Sequence, residues 1–597
     1  MMRSTKSRDV AIDKQLFWLP NGNQSIFTSL HQPADGTTSD VGVVICNPIG
    51  YEYVHSFRSL RFMADRLASH RIPTVRFDYT GTGNSSGSAR TTGLVSRWVS
   101  DIAMQANMLR SEFGIEEICL IGVRFGSALA SMAAKQSAAS SIVAWEPCHN
   151  GRHFYRQLRA ASLVSRKPAA ADTGILESGG FVFSDETLAD MKEVRVGNSE
   201  IDAVSDALVI TREREARASL ESTYENADTE FYVGPDFDGM IREPHFAEIP
   251  YQTSHYIVEW VHSRTADETA ARRFELDKLP SGAETEHERD GYCEKIIRTR
   301  QTGLVGIYTQ AENADASGDP LLVLSNGGSV HNIGPNSVYV SLSRTMAQRG
   351  IRSIRFDLQN LGESVVLEAA DENHPYPEFG TANLAELLFH AKSYLGAEKF
   401  ILAGLCSGSH TSFHSSLTLR DYDIAETIMI NPLTFYWRSG MSLEIPAGKS
   451  IEGAGKHYEY ALRDSSRWKK LFSGKINYTQ LISFIFRYTA KVIGEFFSLI
   501  LKKLKLRNLS QLAKDLNHLQ NIGTHVSFFF SSRDPGFWLL RSEAALVISK
   551  QTREGNMDVH IIDDADHTFS KEGERDEFIQ KFCEHLEQRY LRREPTA

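Results

Sequence analysis

The sequence predicts an α/β protein of two tandem domains, each a mostly parallel sheet flanked by helices. Three observations predict it. Short apolar strands alternate with helical stretches, which is the pattern of a parallel sheet covered on both faces. The order of these elements runs twice along the chain. Each run also contains a strand ending in a glycine-flanked turn, GVRFG in the first and GLCSG in the second.

The repeat can be followed element by element. In the first half the strand VGVVICNPIG leads into the helical stretch FRSLRFMADRLASHRI and then the strand PTVRFDYTGTGNSSG. In the second half LLVLSNGG, VSLSRTMAQRGI and RSIRFDLQNLGES follow in the same order. Asp78 and Asp357 lie 279 residues apart, as do Asn47 and Asn326, while Gly122 and Gly404 lie 282 apart. Each half opens with hairpin-like strands, QLFWLPNGNQSIFTSL and EKIIRTRQTGLVGIYTQ. A charged stretch with a Pro-Ser-Gly break near Pro280 sets the expected domains at 1–275 and 285–597. An insertion at about 436–519 interrupts the second repeat, where a lid over the C-terminal edge of the sheet is expected.

The chain has 597 residues, and single cores stop growing near ~250–300, so two domains or more are required. The 65 Lys and Arg against 75 Asp and Glu give a formal charge of −10, which argues against a nucleic-acid binder. Six scattered cysteines without a CxxC pair support neither a disulfide scaffold nor a cysteine-rich zinc site. No metal-ligand cluster stands out, and DYTGTGNSSG lacks the GxGxxG spacing of a dinucleotide site, so no cofactor is expected. The first residues, MMRSTKSRDVAIDKQLFW, lack a secretory apolar core, and a cytoplasmic protein is expected.

The segment Leu481–Leu501 is apolar but carries Arg487, Lys491 and Glu495 on one helical face, so a membrane span is not expected. It reads as a lid helix. Two occupants suit its apolar face: its own domain, or a membrane surface or acyl chain.

The turns carry the chemistry. A strand, a G-x-nucleophile-x-G turn and a helix form a nucleophile elbow, whose helix N-terminus points at the site. In the second half the turn places Cys406 at the nucleophile position, between Gly404 and Gly408. The strand VSFFFSS then ends at Asp534, and MDVHIIDDADHTF delivers His567 at its end. Nucleophile, acid and histidine thus follow in the order of an elbow-based triad. Asp563, Asp564 and Asp566 share a strand end with His567 and are expected to point elsewhere. Oxyanion stabilisation needs two backbone N–H groups, for which Ser407 and Gly327 are the candidates. In the first half Arg124 occupies the elbow and cannot attack a carbonyl, while Pro48 in the matching loop has no N–H. Arg124 is a candidate anion-binding residue at a helix N-terminus, and His245 a candidate for the matching histidine.

These residues resemble the α/β-hydrolase superfamily, specifically peptidase-like hydrolases of the serine aminopeptidase S33 type. The resemblance spans roughly Val41–Val261 and Leu321–Leu586. NPIGYEYVHSFRSLRFMADRLA, RFDYTGTGNSSG and GVRFG are similar to hydrolase-like proteins found beside exosortase and exopolysaccharide genes, which also often carry arginine in the elbow. The resemblance implies about eight strands per domain and acyl-transfer or ester chemistry. Cysteine at position 406 departs from the common serine pattern, so peptidase or lipase activity is not carried over.

The expected function is that of an acyl hydrolase or acyltransferase working through a Cys406 thioester, on an ester or a carrier-bound acyl thioester, in polysaccharide or natural-product biosynthesis. The alternative is a non-catalytic assembly protein of such a pathway, built from two hydrolase folds.

Overall fold

The computed structural model describes residues 10–165, 174–214, 217–265, 272–312, 320–367, 372–438, 441 and 509–591. Most of the 436–519 insertion, with the expected lid helix Leu481–Leu501, lies outside the described residues.

The first half contains eight principal strands: β1 (Ile12–Asn21), β2 (Gln24–Pro33), β3 (Val41–Cys46), β4 (Thr74–Phe77), β5 (Glu117–Val123), β6 (Ser141–Trp145), β7 (Asp206–Thr211) and β8 (Asp228–Val233). They lie in the order β1-β2-β4-β3-β5-β6-β7-β8. The β1–β2 and β2–β4 pairs are antiparallel and the rest parallel. Its main helices are α1 (Tyr51–Ser69), α2 (Leu94–Phe113), α3 (Phe125–Ala133) and α4 (Tyr251–His262).

The second half repeats this with one added edge strand, β9 (Glu286–Arg289). Then come β10 (Tyr292–Arg298), β11 (Val305–Ala311), β12 (Leu321–Ser325), β13 (Ser353–Phe356), β14 (Lys399–Leu405), β15 (Asp423–Ile430), β16 (His525–Ser531) and β17 (Met557–Ile562). The order is β9-β10-β11-β13-β12-β14-β15-β16-β17. Its main helices are α5 (Val338–Gln348), α6 (Gly380–Leu395), α7 (Ser407–Thr418), α8 (Gln511–Asn521), α9 (Pro535–Arg553) and α10 (Glu572–Leu586). Both halves therefore have the α/β-hydrolase fold.

The strands read as continuous apolar runs because both of their faces are covered. In β3, Val43 and Ile45 pack with Leu60, Met63 and Leu67 of α1, while Val44 packs with Trp98 and Ile102 of α2. In β12, Leu322 and Leu324 face Leu342 and Met346 of α5, and Leu321 and Val323 face Leu384 and Leu388 of α6. The period of two in each strand thus feeds two helix layers.

The halves meet along their antiparallel edges. Leu16, Trp18 and Phe27 share one apolar cluster with Val305 and Ile307. Tyr53, Val54 and Phe57 share another with Val330, Ile333 and Val340. The connecting residues stay on the first half: Arg272–Arg273 pair with Thr37–Thr38, and Glu284 bridges Trp18. No helix among the described residues is long and apolar enough to cross a membrane. No group of three or more His, Cys, Asp or Glu among them could hold a metal ion.

Candidate active site

The elbow is forced by contact distances. A Cβ on Gly404 would lie 2.3 Å from the carbonyl carbon of Gly408, and one on Gly408 would lie 2.4 Å from the backbone oxygen of Ser325. Neither position admits a side chain. Between them Cys406 is held at φ 57°, ψ −114°, its N–H bonded to the Ile430 carbonyl at 2.9 Å. For a residue with a Cβ this positive φ is strained, and it aims the side chain out of the strand-to-helix turn. Ser409 fixes the turn from inside, donating from Oγ to the Gly404 carbonyl at 2.6 Å and accepting from the Ile430 N–H at 2.9 Å.

His567 arrives in the loop after β17 and Asp534 at the start of α9. His567 Nδ1 and Asp534 Oδ2 are 2.5 Å apart. Asp534 is buried and also caps α9, its Oδ1 accepting from the Gly536 N–H at 2.8 Å. One carboxylate thus starts a helix and orients an imidazole. The other ring nitrogen, Nε2, is buried without a conventional hydrogen-bond partner among the described residues. Cys406 is the ionisable side chain that acts on His567 besides Asp534. Burial opposes a charge on this ring, but the bond to Asp534 and the proximity of Cys406 outweigh it and lift His567 to about 10.

The neighbouring carboxylates do point elsewhere. Asp564 pairs with Arg533 at 2.7 Å, and Asp566 accepts from the N–H groups of Thr568 and Ser570 at 3.0 Å each. Asp563 is exposed.

Of the expected oxyanion donors, Ser407 is the first residue of α7, where a backbone N–H has no acceptor within the helix. Gly327 lies beside the elbow: a Cβ there would be 2.8 Å from the Leu405 carbonyl oxygen. The next N–H, that of Gly328, is taken by Ser407 Oγ at 3.0 Å, which ties the loop to the elbow. Asn326 serves the architecture, donating to Asp357 at 3.0 Å and accepting from the Leu358 N–H at 2.8 Å.

Two further residues escape the sequence reading. Asn431, at φ 44° after β15, donates to the His567 carbonyl at 2.8 Å and accepts from the Ser531 N–H at 2.7 Å. It joins the strand that leads to the acid with the loop that carries the histidine. Tyr376, on the loop before α6, is 4% exposed and stacks on Trp437 with ring centroids 4.4 Å apart. Its ring also meets His410, in the first turn of α7, edge-on at 5.3 Å. The NP after a strand and the PYP in a loop signal only turns.

The first half keeps the shape of the elbow, with Arg124 at its apex. Arg124 sits at φ 55°, ψ −122°, its N–H bonded to the Trp145 carbonyl at 2.9 Å. Its Nε pairs with buried Glu52 at 2.9 Å and its Nη2 donates to Gln157 at 2.7 Å, so the protein itself answers the charge offered to an anion. Burial pushes the Glu52 carboxyl up, and Arg124 partly offsets it. Arg212 matches Ser531, its N–H bonded to Glu146 as that of Ser531 is to Asn431, and it pairs with Glu146 at 3.0 Å and Asp238 at 2.7 Å. The position that matches Asp534 is Glu215, outside the described residues. His245 lies in the turn Pro244–Phe246, 3.7 Å from Glu243, with His55 of α1 acting on it. No hydrogen bond or ion pair joins it to Arg124 among the described residues.

No protein-family model and no curated protein matches the sequence. Solved structures similar to part of the chain include Est1E from Butyrivibrio proteoclasticus with ferulic acid bound, at 15% identity, covering 40% of this chain and 98% of that one, with a TM-score of 0.32. Proline iminopeptidase of Mycobacterium smegmatis is 14% identical, covers 42% of this chain and 98% of its own, and has a TM-score of 0.30. An alpha-beta serine hydrolase homologue from Coxiella burnetii is 14% identical, with coverage of 41% and 96% and a TM-score of 0.27.

Proposed function

We propose that the second half is an acyl-processing enzyme, a hydrolase or acyltransferase, that works through a thioester on Cys406. One observation carries the reading: Cys406 occupies a strained elbow next to an imidazole whose far nitrogen is bound to a buried carboxylate. In this reading the Cys406 proton passes to His567 Nε2, and the thiolate attacks the acyl carbonyl carbon. The carbonyl oxygen becomes an oxyanion that accepts from the N–H groups of Ser407 and Gly327. As the leaving alcohol or thiol departs it takes the proton from His567, and the acyl group stays on sulfur. Water or an acceptor alcohol or amine then attacks the thioester, with His567 as base. Asp534 holds the imidazole orientation throughout.

A thioester keeps the acyl group activated, so transfer stands beside hydrolysis. An ester or a carrier-bound acyl thioester fits as donor, and polysaccharide or natural-product biosynthesis fits as setting. Incubating the purified protein with p-nitrophenyl esters and model acyl thioesters tests the reading: release that depends on Cys406 supports it, and no release from any donor counts against it.

A non-catalytic role suits the first half. Arg124 there is neutralised by Glu52 and has no lone pair with which to attack a carbonyl. A docking scaffold for pathway partners is the reading this favours for that half.

A further inference from the structure

The loop that carries Tyr376 is gripped from the first half. Glu372 Oε2 accepts from Arg58 Nε at 2.8 Å and Oε1 from Arg61 Nη2 at 2.6 Å, both on α1. Arg61 also donates to the Gly362 carbonyl at 2.5 Å. Asn373, one residue on, donates to the Pro244 carbonyl of the first half. Its own carbonyl accepts from Ser329 Oγ at 2.6 Å, in the loop that holds Gly327. Tyr376 follows between Pro375 and Pro377, whose rings stiffen the backbone. Its hydroxyl is buried without a conventional partner among the described residues. A buried hydroxyl left idle is costly, which asks what it serves.

We propose, on the reading that Cys406 is the nucleophile, that Tyr376 is a further catalytic group whose hydroxyl donates a hydrogen bond to the Cys406 thiolate, and that the first half holds it there through Glu372. The S–H bond breaks as its proton passes to His567 Nε2, giving a thiolate–imidazolium pair of unchanged total charge. Tyr376 keeps its own proton and offers it to sulfur. Burial, and then Cys406 beside it, hold the Tyr376 hydroxyl far above the ordinary range, so it remains a donor at any working pH. The other groups near the sulfur are engaged elsewhere. Asp534 stands behind His567. Tyr339 of α5 donates to the Ser325 carbonyl at 2.9 Å and accepts from the Leu405 N–H at 2.8 Å. On the elbow's own helix, His410 Nε2 accepts from the Trp437 N–H at 3.3 Å. Arg58 and Arg61 do not touch the sulfur and are positioning residues. On this account the first half is required by the second although its own elbow is inert.

The test needs no substrate. The full chain is alkylated with iodoacetamide across a pH series, and modification of Cys406 is followed by peptide mass. The midpoint belongs to the Cys406–His567 pair. Tyr376→Phe keeps the ring stack and is expected to raise it by about one pH unit. Glu372→Gln is expected to raise it in the same direction, and the double variant no further than Tyr376→Phe alone, because both act through one contact. An unchanged midpoint in Tyr376→Phe overturns the proposal. So does an unsubstituted protein in which Cys406 resists alkylation at all pH values. An unchanged midpoint in Glu372→Gln overturns the hold by the first half. Failure of every acyl assay would sink the enzymatic reading and leave this shift measurable, so the two failures are distinguishable.

Discussion

Arg76 of the first half and Glu363 of the second form a buried ion pair of 2.6 Å across the contact between the halves. Their counterparts 279 residues away in the repeat, Arg355 and Asn84, meet across the same contact, Arg355 Nη2 donating to Asn84 Oδ1 at 3.1 Å. The duplicated strand ends therefore clasp each other reciprocally. Only one direction is an ion pair, since Arg355 finds its charge partner in Glu294 of its own half at 2.8 Å.

Glu363 also accepts from Lys14 at 2.8 Å, so Glu363→Gln strips buried Arg76 and half-buried Lys14 of a shared counter-charge. A loss of about 3–5 kcal/mol is expected, because the uncompensated charge costs more than the pair contributes. Asn84→Ala removes a hydrogen bond, and a loss of about 1–2 kcal/mol is expected. Equilibrium urea unfolding of both variants checks the order; equal losses would refute the role given to the ion pair.

His331 gives the contact a pH dependence. Its ring stacks on Phe57 with centroids 3.9 Å apart, and burial, its largest influence, lowers it to about 3. An unfolded histidine takes up its proton near ~6.5, while the folded one does not until about 3, so folded stability is lost as pH falls through that window. His331→Gln removes this titration. Asp78 and Asp357, each raised to about 6 chiefly by burial, act in the opposite sense and are common to both proteins. Urea midpoints at pH 7.5 and 5.0 should therefore shift in favour of His331→Gln at the lower pH. A constant difference between the two proteins would contradict the assignment.

Asp534→Asn separates the two roles of this residue. Asparagine is as good a helix cap as aspartate, so the bond from the Gly536 N–H and the protein's stability are expected to persist. The amide cannot stabilise the imidazolium or hold its tautomer, and a rate loss of up to ~10⁴-fold is expected. Loss of activity with unchanged melting temperature is the predicted signature. Loss of both together would reduce Asp534 to a structural cap.

Arg124→Ser is expected to create no turnover above the background of Cys406→Ala, because no hydrogen bond or ion pair joins His245 to position 124 among the described residues and Pro48 has no N–H to offer an oxyanion. It should instead lower the melting temperature, since Glu52 is left buried without its partner. Ester release by Arg124→Ser in a Cys406→Ala background would contradict an inert first half.

What the sequence reveals and conceals follows from range. Gly404 and Gly408 are legible because backbone contact within a few residues of the turn allows nothing larger. The order Cys406, Asp534, His567 is legible because each residue ends a strand that apolar patterning already marks. Arg76 with Glu363 is not, since pairs 287 residues apart leave no periodic trace, although the 279-residue repeat that relates Arg76 to Arg355 does. Asn431 and Tyr376 are hidden for another reason: both lie in turns, where composition reports the bend and not the side chain's direction. The anion role offered to Arg124 fails to foresee Glu52, which lies 72 residues earlier on α1.

The central claim, that Cys406 carries the acyl group, is tested most directly by mixing the full chain with an acyl thioester and measuring intact mass and then peptide masses. An increment of one acyl group on the peptide that contains Cys406 is predicted, absent from Cys406→Ala and much slower to form in His567→Ala. Its decay in buffer alone would mark a hydrolase, and decay only on adding an acceptor would mark a transferase. Full turnover by Cys406→Ala, or the acyl group on any other residue, would contradict the account.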